Sequence, residues 1–296
     1  MTTATTTDTP AYAPKLVVFV DGSVYSRSVC DHAAWIARHT GASVELLHVI
    51  DRRKLASPPS DLSGSISLGA RSALLEELSN LDEQRSRLAQ LHGRAILEDA
   101  KAVMDEAGIE NVSTKLRIED VVEAVTETEA DADLLVIGKR GEAADFAKLH
   151  LGSNLERIAR HSKKPVFVAS RAFKPVKRCL IAYDGGPSAM KAVDHIGRSK
   201  LFANLECHIL IVGEDSKQNQ QRLADAKALI EAGGHKASGE IIPGIPDKTI
   251  ARVVDEQGFD LLVMGAYGHS RIRNLLIGST TTEMIRACLV PVLLFR

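Results

Sequence analysis

The chain has 296 residues, 45% of them hydrophobic and 25% charged, and a formal net charge of -1. That length buries a sizeable core and divides comfortably into two domains, while the balanced charge excludes a global attraction to nucleic acid or anionic lipid, so any anion binding has to be local. No apolar run approaches the roughly 18 residues of a membrane span, and MTTATTTDTP lacks the regions of a signal peptide, so a cytoplasmic protein without membrane or nucleic-acid partners is expected.

In chain order, residues 1–14 read as a flexible tail. Strands are expected at about 15–20 and 43–49, separated by an amphipathic helix that carries Asp31-His32. KLASPPSDLSGSISLG then reads as loop, and LLEELSNLDEQRSRLAQLHGRAILEDAKAVMDEAG as one long helix or two. This stretch, about 51–92, is either a lid over the sheet or a surface excursion. Strands follow at about 113–118, 133–137 and 165–169, and a short link with Pro175 leads to a second half. Its strands are expected at about 178–183, 206–212, 237–242, 260–264 and 291–295, with helices between them.

The two halves are copies. KLVVFVDGSVYSRSVCDHAAW overlies KRCLIAYDGGPSAMKAVDHIGR, setting Asp21 on Asp184 and Asp31-His32 on Asp194-His195; DLLVIGKRG overlies DLLVMGAYG, and KKPVFVAS overlies LVPVLLFR. Domains at 15–172 and 173–296 follow, packed together because the link is short. Short apolar runs alternating with amphipathic segments predict, in each, a doubly wound α/β fold: a parallel sheet with helices on both faces. Cys30, Cys179, Cys207 and Cys288 are far apart and form no CxxC pair, so they read as small core or helix-surface residues. Adjacent Asp-His residues on a helix point apart, which argues for surface polarity over metal ligation.

In such a sheet, ligands bind at the carboxyl ends of the strands where the strand order reverses. With order 3-2-1-4-5, that crevice in the second half lies between Ala182-Tyr183-Asp184 and Met264-Gly265. Asp184 is a candidate acceptor for ribose hydroxyls. Gly265 and Gly268 let backbone approach a phosphate or adopt positive φ. Gly278-Ser279-Thr280 opens a helix whose free N–H groups favour an anion, and His269, Arg271 and Arg273 add positive charge. Singly, each glycine reads as a turn and Ser279 as a helix cap; the joint spacing points to a nucleotide.

On these residues the chain resembles the universal stress protein family in its tandem, two-domain form. Gly265, Gly268, Gly278 and Ser279 satisfy the G-x2-G-x9-G-(S/T) pattern of its ATP-binding members. The resemblance implies a Rossmann-like five-stranded sheet of order 3-2-1-4-5, Asp184 at the nucleoside, Val212 near the adenine, and Ser279 and Thr280 on phosphate. The corresponding first-half residues are Asp21, Val49, Gly138, Gly141, Gly152 and Ser153, but ten residues separate the last two glycines and Asn154 replaces Thr280. Glu142 and Asp145 stand in that loop, offset in part by Lys139, Arg140 and Lys148, so the first site is expected to be weak or empty. In the second half little loop follows the second strand, which predicts a more open pocket.

The expected function is regulatory binding of ATP, with or without Mg2+, and at most slow hydrolysis: neither a G-x4-G-K-(S/T) loop nor a kinase signature set is present. The alternative is a non-catalytic scaffold that takes another small molecule or a protein partner on degenerate sites. An exposed fifth strand in each half predicts an intramolecular pseudo-dimer through VFVAS and VLLFR, to which a further homodimer is compatible.

Overall fold

The computed structural model describes residues 13–52, 68–140, 153–266 and 279–296, with only the backbone described for 68–73, 153, 279 and 280. The first half runs β1 (Lys15–Phe19), α1 (Ser26–Thr40), β2 (Ser43–Ile50), α2 (Leu68–Glu106), β3 (Val112–Ile118), α3 (Val121–Thr128), β4 (Leu134–Gly138), α4 (Ser153–His161) and β5 (Val166–Ala169). The second runs β6 (Arg178–Ala182), α5 (Pro187–Arg198), a 3-10 turn (Lys200–Phe202), β7 (Glu206–Val212), α6 (Lys217–Ala232), β8 (Lys236–Ile242), α7 (Pro246–Glu256), β9 (Leu261–Gly265), α8 (Ser279–Ala287) and β10 (Val292–Phe295). Of the long segment after β2, Leu68–Glu106 form one helix of 39 residues, where the corresponding helix of the second half has 16.

All strands join one sheet in the order β3-β2-β1-β4-β5-β10-β9-β6-β7-β8. Within each half every pair is parallel, giving 3-2-1-4-5 and its mirror image. Between the halves β5 and β10 run antiparallel, with Val168 opposite Val292, Phe167 opposite Leu293 and Val166 opposite Leu294. The edge that each fifth strand would present alone is thereby closed. Near-continuous apolar strands such as LLVIG and VLLF fit this arrangement because both faces of the sheet are covered.

Two cores span both halves. On one face α1, α2, α5 and α6 pack over Val18, Val136, Ile181 and Val263; on the other, α3, α4, α7 and α8 pack over Val17, Leu135, Leu180 and Leu262. Burying surface from both halves on each face makes the two copies one cooperative unit.

One sequence expectation changes. His32 is a core residue: fully buried, it lies 5.4 Å from the Phe167 ring and 5.0 Å, edge-on, from Phe173 of the link. The link and the second half cover α1 on a side that would face water in a lone domain. Burial pushes the His32 imidazole below its ordinary value, and Nε2 has no hydrogen-bond partner among the described residues. The cysteines are all buried free thiols, and the β6–β7 register brings Cys179 and Cys207, distant in sequence, to 3.3 Å between sulfurs. That contact, together with burial, pushes the Cys179 thiol well up.

Candidate functional site

The second-half crevice is built by strand ends. Register pairs Ala182 with Met264 across β6 and β9, and Ala182 with Leu210 across β6 and β7. Alternation along the strands then puts Ala182, Val212 and Met264 on the same face, where Ala182 and Val212 are only partly buried. The three form an apolar floor at the carboxyl edge of the sheet. Tyr183 belongs to the opposite face: its ring is buried in the other core and its hydroxyl lies 2.7 Å from Met190 Sδ on α5. Strand alternation separates it from its neighbours. Burial pushes its phenol up, with the nearby Arg222 charge acting the other way.

Asp184 stands exposed just past β6. Its Oδ1 accepts from the Gly186 N–H at 2.8 Å, closing a turn in which Gly185 has φ +73°. Gly186 and Pro187 then start α5, the proline occupying a first-turn position that needs no N–H. The turn leaves the other carboxylate oxygen without a hydrogen bond among the described residues, suited to accept from a ligand.

Gly265 has a packing reason for being glycine. A Cβ there would lie 3.0 Å from Ser188 Cβ and 3.2 Å from the Ala189 nitrogen, so the end of β9 meets the start of α5 at close range. Its φ is not positive. Beyond it, the Thr281 hydroxyl donates to the Ala266 carbonyl at 2.9 Å, and Ala266 N–H donates to Phe295. Thr281 is buried and anchors the first turn of α8 to the end of β9, so the helix N-terminus lies beside the end of that strand. Gly268, His269, Arg271 and Gly278 lie outside the described residues, as do the side chains of Ser279 and Thr280.

The short connection after β7 leads straight into α6, whose side chains approach the strand ends. Ser216 caps α6 by accepting from Asn219 N–H at 3.2 Å, and Asn219 and Arg222 then reach back over the strand ends. Cβ atoms built at Gly213 and Gly185 would lie 3.3 Å from Asn219 Nδ2 and 2.9 Å from Arg222 Nε.

The first-half copy keeps the frame and alters the chemistry. Asp21 Oδ1 accepts from Ser23 N–H at 3.1 Å and the Ser26 hydroxyl at 3.3 Å, Gly22 has φ +74°, and Val49 is partly buried at the end of β2. A Cβ at Gly138 would lie 3.0 Å from Tyr25 Cβ, the same close contact as at Gly265. Ile96 occupies the place of Arg222: a Cβ at Gly22 would lie 2.9 Å from its Cδ1. The buried ammonium of Lys139 crosses to the second half and donates to the Cys288 carbonyl just past the end of α8, while Glu142, Asp145 and Lys148 lie outside the described residues. Burial lowers its pKa to about 8, and a helix C-terminus is a favourable place for the charge it retains. Gly141 and Gly152 lie outside the described residues, as does the Ser153 side chain. Among the described residues no cluster of three His, Cys, Asp or Glu side chains that could hold a metal occurs, and no helix is long and apolar enough to cross a membrane.

The model of the universal stress protein family matches residues 13–170 and 211–296. The chain belongs to the universal stress protein family. Universal stress protein Slr1230 of Synechocystis is 37% identical over 284 residues, which cover 95% of this chain and 99% of that protein. YxiE of Bacillus subtilis is 27% identical over 155 residues, 52% of this chain and 97% of its own length. Among solved structures, a universal stress protein from Archaeoglobus fulgidus aligns with a TM-score of 0.67 at 23% identity, covering 95% of this chain and 96% of that one, a likeness of fold. This universal stress protein is therefore of the tandem kind, two Rossmann-like copies in one chain.

Sequence reasoning missed Thr281, Asn219, Arg222 and the Lys139–Cys288 link. Arg222 carries a readable signal: it stands as far ahead of the helix-ending Gly234 as Ile96 does of Gly108.

Proposed function

We propose that this universal stress protein is a cytoplasmic regulatory protein of the stress response that binds an adenine nucleotide, ATP first, in its second half, with the first half weak or empty. The observation that carries the reading is the convergence at one sheet edge of the Ala182, Val212 and Met264 floor, the exposed carboxylate of Asp184 and the N-terminus of α8, anchored by Thr281. An apolar slot, a hydroxyl acceptor and a helix N-terminus suit base, ribose and phosphate in turn. Mg2+ would enter with the phosphates, since the described residues offer it no cluster of their own.

Occupancy acts through shape rather than turnover. Lys139 ties the first-half turn after β4 to the far end of α8, so a ligand at the N-terminus of that helix bears on the contact between the halves. Because β5 and β10 are already paired within the chain, a homodimer would use another surface.

Differential scanning fluorimetry with millimolar ATP and with adenosine tests the reading. The expected result is a rise in Tm with ATP that Gly278→Leu abolishes. No shift with either ligand leaves the scaffold reading in its place.

A further inference from the structure

Among the described residues, Arg222 marks a chemical difference between the two crevices. In both halves the turn after the first strand has a glycine of positive φ, Gly22 and Gly185, and a helix on the same face lays a side chain across it. In the first half that side chain is Ile96, buried and apolar. In the second it is Arg222: a Cβ on Gly185 would lie 2.9 Å from Nε, 3.1 Å from Cδ and 3.2 Å from Cζ. The charged end therefore sits directly over the turn that presents Asp184.

The fold gives Arg222 little else to do. Among the described residues it forms no ion pair, and its one hydrogen bond is a long one, 3.4 Å from Nη1 to Asn219 Oδ1. It is half-buried. A partly desolvated guanidinium with donors to spare, at the mouth of a crevice, is matched to an oxyanion, and its planar fork favours phosphate. Its position next to the proposed ribose acceptor resembles the general arrangement in which a nearby arginine accommodates a phosphate carried by the ribose.

On the reading of this crevice as an adenine-nucleotide site, we infer that Arg222 is its charge-reading residue: it contacts a phosphate of the nucleotide and makes the second half prefer nucleotides to the uncharged nucleoside. Ile96 deprives the first half of the same contact. Two sources of that phosphate share this chemistry, the 5′ chain folded back over Gly185 or a group on the ribose.

Isothermal titration of adenosine, ATP and adenosine 3′,5′-bisphosphate into the full chain and its Arg222→Ile and Arg222→Lys variants tests the inference, with thermal melts verifying that both variants fold. Arg222→Ile is expected to weaken at least one phosphate-bearing ligand about tenfold or more while adenosine stays within about twofold, and Arg222→Lys to recover part of the loss, since lysine keeps the charge without the fork. A loss confined to the bisphosphate assigns the ribose phosphate, and a loss that includes ATP assigns the 5′ chain. Equal losses for adenosine and the nucleotides, or none, overturn the role of Arg222 while leaving the site standing. A wild-type chain that binds none of the three overturns the nucleotide reading and this assignment with it.

Discussion

The two halves share a backbone plan and differ in what they place on it. Gly22 and Gly185 turn the chain alike, Gly138 and Gly265 meet their helices at the same distance, and Asp21 and Asp184 occupy equivalent positions. Yet Asp21 is held by a backbone and a hydroxyl donor, Ile96 seals its turn, and Lys139 leaves for the other half, whereas Asp184 keeps one oxygen exposed and Arg222 stands over it. Duplication preserves positions that packing enforces. Positions that chemistry uses are free to diverge in one copy once the other carries the ligand.

The largest effects should fall where the halves agree. Gly265→Val and Gly138→Val each force a branched side chain against a helix start, and each should cost about 1–3 kcal/mol, read as a lower midpoint in urea. If only the second-half variant were destabilising, the shared packing role would be wrong. Next, Asp184→Ala should weaken ATP about tenfold, as loss of hydrogen bonds to a charged acceptor does, while Asp21→Ala changes it little; calorimetry measures both. Equal effects would place nucleotide in both halves.

Smaller effects concern protons. The folded-state pKa of His32 is lowered below 6.5 by burial, so the unfolded chain binds the extra proton and stability falls as pH drops through about 6.5. His32→Leu should flatten part of that slope in urea titrations from pH 7 to 5, and an unchanged slope would refute the account. His195, also lowered by burial, acts in the same direction. Lys139, with its pKa near 8, acts over a higher pH range. Because the unfolded chain holds that proton up to about 10.5, its contribution to stability rises with pH between the two values, and Lys139→Met should remove the rise.

The fold was legible because the repeat supplied every strand twice, and strand ends fell within a residue or two of their expected places. Repetition also exposed the switch point and hence Asp184. Less legible was anything settled by packing between distant segments. His32 looked like surface polarity because Phe173 and the second half bury α1 only in the assembled chain. Tyr183 was grouped with Ala182 although adjacent strand residues face opposite ways. Lys139 was assigned to its own loop, since no local pattern announces a carbonyl donated by the other half. Arg222 sits past the point where the repeat register breaks, behind helices of unequal length.

Native mass spectrometry of the intact chain titrated with ATP counts occupied sites directly. One adenine nucleotide per chain is expected at saturation and, at an ATP concentration that half-fills the wild-type site, occupancy should be largely lost in Asp184→Ala and retained in Asp21→Ala. Two nucleotides per chain, or one that survives Asp184→Ala and disappears in Asp21→Ala, would contradict it.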